Sequence, residues 1–236
     1  MDCQRETQAR MIGVIHRDPA GEGRLTAVLR WLRPALVTVE VSPYGAAFRR
    51  QNGERLLRRL EELLPPGAGT HAEIVFVREL LRLPFELRVA EGYARETGAA
   101  VELVGDSDES RELLASVETE LLTPENLRAL AAQPDYDVAA SIRAQYERHR
   151  RWRRDEPVPS ALLGWPADRV AQVEAREEQL EHRIRDAIRR HQPVCWVHVG
   201  GATHLVRASG LRLLWDRFAA EGVTRLFLDE APIPRC

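Results

Sequence analysis

The chain has 236 residues, of which 44% are hydrophobic and 30% are charged, and its formal net charge at pH 7 is -2. This length is enough for one α/β domain or two small ones, and the hydrophobic fraction is enough for a substantial core. The weak net charge gives no general attraction to nucleic acid or to anionic membranes. The 34 residues counted as Lys plus Arg are all arginines, which excludes a Schiff-base lysine and the lysine of a P-loop.

Targeting and redox signals are also lacking. The opening segment Met1–Arg10 is polar and does not contain the apolar stretch of a signal peptide. No apolar run approaches the roughly 20 residues that span a bilayer. The cysteines Cys3, Cys195 and Cys236 form no Cys-x-x-Cys motif, so they indicate neither a disulfide framework nor a thiolate zinc site. We therefore expect a soluble, cytoplasmic protein that binds neither membranes nor nucleic acid.

Predicted strands and helices alternate along the chain. Short runs rich in β-branched residues predict buried strands, and apolar residues at helical spacing predict helices. The predicted strands are Met11–Ile15, Ala35–Val41, Val101–Val104, Val194–Val199 and Arg225–Leu228. The predicted helices are Leu25–Leu32, Ala46–Leu64, Glu73–Leu83, Phe85–Thr97, Ala167–His191 and Leu205–Glu221. This alternation predicts an α/β fold, with a mostly parallel central sheet flanked by helices.

The stretch from Ser107 to Pro166 differs in character, because it is strongly charged and helical without a convincing strand. Thr123-Pro124-Glu125 predicts a helix start there, with Thr as the N-cap and Pro at the first helical position. We interpret residues 107–166 as a helical insertion or lid within a single domain that spans residues 1–236.

Part of this stretch, Arg143–Arg154, interleaves arginines with Tyr146 and Trp152. Basic and aromatic residues in alternation are typical of surfaces that bind single-stranded nucleic acid. A charged helix end balanced by nearby Asp and Glu is the simpler interpretation, since the chain is acidic overall and has no recognised nucleic-acid motif. A dimer or lid surface is a further alternative.

Two copies of a Gly-x-x-His phrase follow two of the predicted strands. Gly13-Val14-Ile15-His16 ends the first strand, and Gly201-Ala202-Thr203-His204 follows the fourth. In open α/β sheets, ligands bind at the carboxyl ends of the strands. Either histidine alone is explained by ordinary hydrogen bonds at a strand end, but the repetition predicts that both converge on one site.

Two carboxylates have comparable positions. Glu40 ends the apolar run Ala35–Val41, where a carboxylate is costly unless it is exposed, paired or bound to a metal. Asp106 follows the third strand and should lie on the same edge, although a helix N-cap explains it nearly as well. His198 lies within the fourth strand and, by alternation, points like Trp196; we expect it to be structural, with a third imidazole for the site as the alternative.

An ordered set of motifs across most of the chain resembles the TraB/PrgY family. Gly13–His16 together with Val37-Thr38-Val39-Glu40 resembles its opening motif, and Phe85–Ala90 resembles its second acidic motif. Ala175–Glu178 resembles its Arg-bearing helix, and Val197–Leu205 resembles its closing motif. The resemblance places the chain with Tiki, GumN, ChaN and the erythromycin esterases, which share an α/β fold with paired Gly-x-x-His and Glu motifs in one cleft.

The resemblance also implies a set of site residues. These are His16, Glu40, Glu86, Asp106, Arg176 and His204. From position alone, Glu86 and Arg176 would be ordinary surface residues of charged helices. A further arginine of the family corresponds to either Arg49 or Arg50, and the spacing does not decide between them.

Two imidazoles with carboxylates suit a divalent metal ion such as Mn, Co, Fe or Zn. We expect His16, Glu40 and His204 to be its ligands. Glu86 is expected to be a general base or to orient a histidine, and Arg176 to hold an oxyanion or a substrate carboxylate. These roles predict a metal-assisted hydrolase that cleaves the peptide or ester bond of a small substrate, with a homodimer as a further expectation.

Two alternatives remain open at this point. In a metal-free hydrolase, one histidine would act as general base with the help of a glutamate. In a non-catalytic regulatory protein of TraB/PrgY type, the same residues would bind a peptide or a metal-containing ligand without turnover.

Overall fold

The computed structural model describes residues 8–154, 157–165 and 167–231; Cys3, Cys236 and most of the opening segment lie outside them. Five strands form one parallel sheet. They are β1 (Gln8–Val14), β2 (Leu36–Val39), β3 (Ala100–Leu103), β5 (Cys195–Gly201) and β7 (Thr224–Phe227). Their order in the sheet is β3-β2-β5-β1-β7. Two two-residue strands, β4 (Val158–Pro159) and β6 (Ala208–Ser209), pair separately. The predicted α/β fold with a parallel central sheet is confirmed.

Helices flank this sheet. They are α1 (Gly21–Leu32), α2 (Pro43–Leu63), α3 (Ala72–Leu81), α4 (Phe85–Thr97), α5 (Ser107–Ala115), α6 (Pro124–Ala131), α7 (Val138–Arg154), α8 (Val170–His191) and α9 (Leu214–Phe218). The central strands are buried on both faces, as their continuous apolar runs predict. Met11, Leu36 and Val197, for example, have no solvent exposure.

The strand order decides where the two Gly-x-x-His phrases meet. Strand β5 lies between β1 and β2, with Gly13 opposite Gly200 and Val14 opposite Gly201. Both phrases therefore leave neighbouring parallel strands at the same edge of the sheet, and Glu40 leaves the third strand of this group, β2.

Local capping explains several helix boundaries. Helix α2 begins at Pro43, three residues before the predicted start, because the Ser42 hydroxyl accepts a hydrogen bond from the Gly45 N–H at 2.8 Å. Proline at the first helical position is typical of such a start. Thr123 caps α6 as predicted, since its hydroxyl accepts the Asn126 N–H at 3.2 Å.

The predicted helix Leu205–Glu221 is wrong. A 3₁₀ turn, Ala202–Leu205, is followed by β6 and then by the five-residue helix α9. Gly210 has φ +69°, a left-handed conformation that a continuous helix does not contain. Leu211 and Leu213, which contribute to the apolar spacing, are buried in the segment that precedes α9.

Residues 107–166 combine helices with little strand, as predicted from their composition. Helices α5 and α6 pack with α2 and α3 around a second hydrophobic core, which includes Leu60 and Leu127. Helix α7 instead packs on the main core through the fully buried Tyr146. The role of this stretch as a lid stays a prediction.

The arginine-rich segment at the end of α7 is a charged helix whose arginines pair with carboxylates. Arg150 pairs with Asp229, and Arg153 contacts both carboxylate oxygens of Glu230 at 2.6 Å. In the part of the chain that the structure describes, no helix combines the length and apolar character needed to cross a membrane.

Candidate functional site

His204 lies between two carboxylates at the carboxyl edge of the sheet. Its Nε2 is 2.9 Å from Oε1 of Glu40, and its Nδ1 is 2.5 Å from Oε1 of Glu177. Glu177 has no solvent exposure, and its second oxygen accepts the Leu214 N–H at 2.7 Å. Burial lowers the pKa of His204, but the charges of Glu40 and Glu177 and their hydrogen bonds outweigh it and raise the pKa well above its ordinary value. This arrangement therefore favours the imidazolium form.

His16 has the same kind of partner. Its Nδ1 is 2.7 Å from Oε1 of Glu86, a residue of the first turn of α4 that is 3% exposed. About half of the His16 side chain is exposed, in the cleft. Burial lowers the pKa of His16, while the hydrogen bond and charge of Glu86 and the charge of Glu40 give a net increase.

Glu40 connects the two histidines electrostatically. Its Oε2 accepts the Gly201 N–H at 2.8 Å, and its Oε1 faces both His204 and Arg176, whose Nη2 is 3.4 Å away. Burial raises the pKa of Glu40, but the charge and hydrogen bond of His204, followed by the charge of His16, bring it well below its usual range. Glu40 is therefore ionised at neutral pH.

Two consecutive glycines leave the space in which these side chains meet. A Cβ added to Gly200 would lie 2.6 Å from Nε2 of His198 and 2.8 Å from Oε2 of Glu40. A Cβ at Gly201 would lie 3.3 Å from Nε2 of His16 and 3.3 Å from Cδ2 of His204. Nε2 of His16 thus points toward the end of β5, so the residues of both Gly-x-x-His phrases come together, as the sequence predicts.

Arg176 and Asp106 lie at the rim of this cluster. Arg176 is half exposed and also contacts Glu109 at 3.2 Å. Asp106 caps α5 through the N–H groups of residues 108 and 109, and its other oxygen is 2.7 Å from Arg183. It shares a small cavity with Glu40 and Arg176. Its part in the chemistry stays a prediction, since the cap and the ion pair account for its position.

The structure distinguishes Arg49 from Arg50. Arg49 lines a cavity of about 270 Å³ beside His16, whereas Arg50 pairs with Glu91. A second cavity, of about 430 Å³, also adjoins the cluster and is bordered by Phe76 and Trp165. Both cavities include His16 and Glu40, so the cluster is accessible from each of them.

Sequence reasoning missed Glu177. It occupies the buried face of α8 together with Leu180, Ile184 and Ala187. A carboxylate within the apolar stripe of an amphipathic helix is costly without a partner. That position is the signal by which the sequence could have revealed it.

His198 is buried within β5, as expected. Its Nδ1 is 3.0 Å from the Thr38 hydroxyl, while its Nε2 has no hydrogen-bond partner among the described residues. Burial lowers the pKa of His198 to about 4. It is therefore neutral at physiological pH.

The donor types of the cluster fit a divalent cation. Imidazole nitrogens and a carboxylate are suitable ligands. Both Nδ1 atoms contact buried glutamates, while Nε2 of His16 points toward Gly201 and Nε2 of His204 contacts Glu40. Within residues 8–154, 157–165 and 167–231, however, no group of three or more His, Cys, Asp or Glu residues is already arranged to hold a metal ion. A cation would have to replace the contact between His204 and Glu40.

Fold and site together define an α/β protein with a histidine–glutamate cleft at the carboxyl edge of a parallel sheet. No protein-family model, curated protein or solved structure matches the chain.

Proposed function

We propose that this chain is a hydrolase of peptide or ester bonds whose cleft holds a divalent cation through His16, Glu40 and His204. The observation that carries the proposal is the common arrangement of the two histidines. Each hydrogen-bonds through Nδ1 to a buried glutamate, Glu86 or Glu177; Nε2 of His16 points toward Gly201, and Nε2 of His204 toward Glu40. Histidines that bind metals commonly donate their other ring N–H to a carboxylate in this way.

The charges of the cluster support the same proposal. The carboxylates of Glu40, Glu86 and Glu177 contact the two imidazoles directly, and Arg176 contacts Glu40. Protons or a divalent cation on the imidazole nitrogens would be attracted to these carboxylates. A cation and these protons therefore compete for the same nitrogens.

The residues of the cleft have complementary roles in this proposal. A bound cation would polarise the scissile carbonyl and acidify a water molecule. Glu86 and Glu177 hold the two imidazoles in one tautomer and one orientation. Arg176, at the rim, stabilises the negative charge that develops on the carbonyl oxygen. The two cavities that adjoin the cluster give room for the two halves of a substrate.

The decisive experiment is metal analysis of the purified protein after chelation and reloading with Mn, Co, Fe or Zn. We expect near-stoichiometric metal in the wild type and its loss in His16→Ala and in His204→Ala. His182→Ala is the matched control, since His182 lies on the exposed face of α8. A folded wild type that binds none of these metals would rule out the cation.

A metal-free hydrolase is the second candidate, and the His16–Glu86 pair favours it. A histidine with Nδ1 on a buried carboxylate and Nε2 in a cleft is the arrangement of a general base. Hydrolysis of peptide or ester substrates that survives chelation and is lost in His16→Ala would support this candidate.

The alternative from another class is a non-catalytic regulatory protein of TraB/PrgY type that binds a peptide or a metal-containing ligand. A metal-loaded wild type that binds such ligands and hydrolyses none of them would favour it. The family resemblance, the cytoplasmic location and the homodimer also stay proposals.

A further inference from the structure

We propose that Arg17 and Arg49 form an anion-binding subsite beside His16, which holds a carboxylate or phosphate group of the substrate. This inference rests on the proposed function and deepens it, because it assigns an acidic substrate to the same cleft. It is carried by the position of the two arginines, by the cavity that they share, and by the absence of an ion pair between either arginine and a carboxylate of the described residues.

Both arginines line the cavity of about 270 Å³ that adjoins His16 and Glu86. Arg17 directly follows His16 and has φ +70°, a left-handed backbone conformation that residues other than glycine seldom adopt. Arg17 also lines the cavity of about 430 Å³, where its guanidinium lies over the ring of Phe76, 5.1 Å from the ring centroid. A left-handed backbone conformation such as that of Arg17 is strained, and strained residues are concentrated at functional sites.

Arg49 is held in place by neutral groups. Its Nε donates to the Leu80 carbonyl at 2.8 Å, and its Nη1 donates to the Gly45 carbonyl at 3.1 Å. Burial and the nearby charge of Arg17 lower the pKa of Arg49, against the charge of Glu86, which raises it. Two guanidinium groups therefore repel each other across the cavity, and a bound anion would relieve this repulsion.

No carboxylate of the described residues forms an ion pair with Arg17 or Arg49. The acidic residues that line the cavity are bound elsewhere. Glu40 contacts His204 and Arg176, Glu86 contacts His16, and Glu79 is 2.6 Å from Arg82. The charges of Arg17 and Arg49, which both line this cavity, are therefore available to a ligand.

The other walls of the cavity define the rest of the ligand. Part of its lining is apolar and consists of Leu80, Pro84, Phe85 and Leu113. Leu113 is 60% exposed. An anionic group attached to an apolar group fits these walls. N-acyl amino acids and peptide C-termini with an apolar last residue have this chemistry, and the anion would hold the bond next to it near His16.

Calorimetric titration of the full chain tests the subsite with three probes. They are N-acetyl-phenylalanine, its neutral amide, and phenyl phosphate. A charge-assisted contact with a guanidinium predicts that the wild type binds an anionic probe about 10-fold more tightly than the amide. Arg17→Gln should lose that preference. Arg50→Gln should keep it, because Arg50 already pairs with Glu91 outside the cavity.

Arg49→Lys serves as a second variant, because it keeps a cation while removing the bonds to two carbonyls. We expect weaker anion binding with an unchanged circular dichroism spectrum. Preference for the carboxylate over phenyl phosphate would assign an amino-acid or peptide substrate, and the reverse preference would assign a phosphate ester.

Two outcomes would overturn the subsite. One is equal affinity, or no affinity, of the wild type for the anions and the amide; the other is equal anion affinity of Arg17→Gln and Arg50→Gln. Binding is measured without turnover, so a chain that hydrolyses nothing still tests the subsite. Conversely, equal kcat/KM for carboxylate and amide substrates would retain the hydrolase and overturn the subsite.

Discussion

Each histidine of the cleft forms a hydrogen bond with a glutamate that is almost completely buried. Glu86 and Glu177 are 3% and 0% exposed, and each accepts a hydrogen bond from an imidazole Nδ1. A carboxylate can only accept in this arrangement, so each Nδ1 carries a proton. Nε2 of His16 is then open to a ligand, whereas a ligand of Nε2 of His204 must replace its contact with Glu40.

Substitution of Glu177 tests whether its hydrogen bond orients His204. In Glu177→Gln the amide can still accept from His204, but its NH₂ group would then face the Leu214 N–H, which Glu177 now binds. An unsatisfied buried donor costs about 1–3 kcal/mol. We expect that loss in urea unfolding, together with a 10- to 100-fold weaker metal affinity of the order typical for such partners.

The neighbouring Glu178 provides the matched control. It is exposed on the same helix, so Glu178→Gln should change the free energy of unfolding by less than about 0.5 kcal/mol and leave metal affinity unchanged. Equal metal affinities in the two variants would contradict the role of Glu177.

His198 predicts a pH dependence of stability. Its pKa is about 4 in the folded chain against about 6.5 when unfolded. Below pH 6.5 the unfolded state therefore binds a proton that the folded state refuses until about pH 4, and stability falls as the pH falls through this window. The full effect is about 3 kcal/mol.

His16 and His204 have raised pKa values and contribute the opposite slope. The prediction therefore concerns the difference between the wild type and His198→Gln, measured by urea unfolding at several pH values. The wild type should lose stability relative to the variant as the pH falls from 6.5 to 4. A constant difference over this range would show that His198 is protonated in both states alike.

Part of the site was accessible from the sequence because it depends on local position. His16, Glu40 and His204 each follow an apolar strand, and strand ends are visible in a single sequence. Glu177 and Thr38 were not found, because their roles depend on which side chain a distant element brings to them. Asp106 illustrates the opposite case, since its helix cap is local and accounts for most of its contacts.

At the scale of elements, helix α7 supports the end of β1 from outside the sheet. The Tyr146 hydroxyl accepts the Ile15 N–H at 3.2 Å and donates to Oδ2 of Asp18 at 3.2 Å. Both contacts flank His16. The helix therefore fixes the segment that presents the first histidine.

Tyr146→Phe tests this support. The variant leaves the Ile15 N–H without its partner inside the protein, which costs about 1–3 kcal/mol. We expect this loss in urea unfolding. In Tyr136→Phe, the control, an exposed hydroxyl loses only its bond to Glu73, and the loss should be below about 0.5 kcal/mol. Similar losses of unfolding free energy in the two variants would show that the Tyr146 hydroxyl does not stabilise the end of β1.

The elements that the sequence predicted correctly are those whose pattern has a single physical cause. Apolar runs correctly predicted the five strands of the main sheet, and Thr123 correctly predicted the start of α6. The segment after His204 was wrongly predicted as one helix, because apolar spacing alone does not reveal the turn at Gly210. The second core was not predicted either, since it depends on how α2, α3, α5 and α6 pack.

At the scale of the whole molecule, the site exists because β5 inserts between β1 and β2. The first Gly-x-x-His phrase and Glu40 belong to the first 40 residues, and the second phrase joins them after α8. Convergence on one edge was predictable from the parallel fold. The strand order that makes these three strands neighbours was not, because many orders satisfy the same alternation of strands and helices.

A cation bound between the two ends of the chain should stabilise the whole fold. A ligand of the folded state alone adds about 2.7 kcal/mol at 100 times its dissociation constant. In urea unfolding we therefore expect saturating Mn, Co, Fe or Zn to stabilise the wild type and His182→Ala by a similar amount. His16→Ala and His204→Ala should gain little, because each lacks one of the proposed ligands.

The raised pKa values of His16 and His204 set the pH dependence of this gain. At low pH both imidazoles hold protons that the cation must displace, so the metal-dependent gain should be small. It should increase as the pH rises through the raised pKa values and the protons are lost. Measurements at several pH values, from below the ordinary histidine pKa of about 6.5 to well above it, cover the range in which these protons are lost. A gain that does not increase anywhere in this range, or that persists in both histidine-to-alanine variants, would place the cation elsewhere in the molecule.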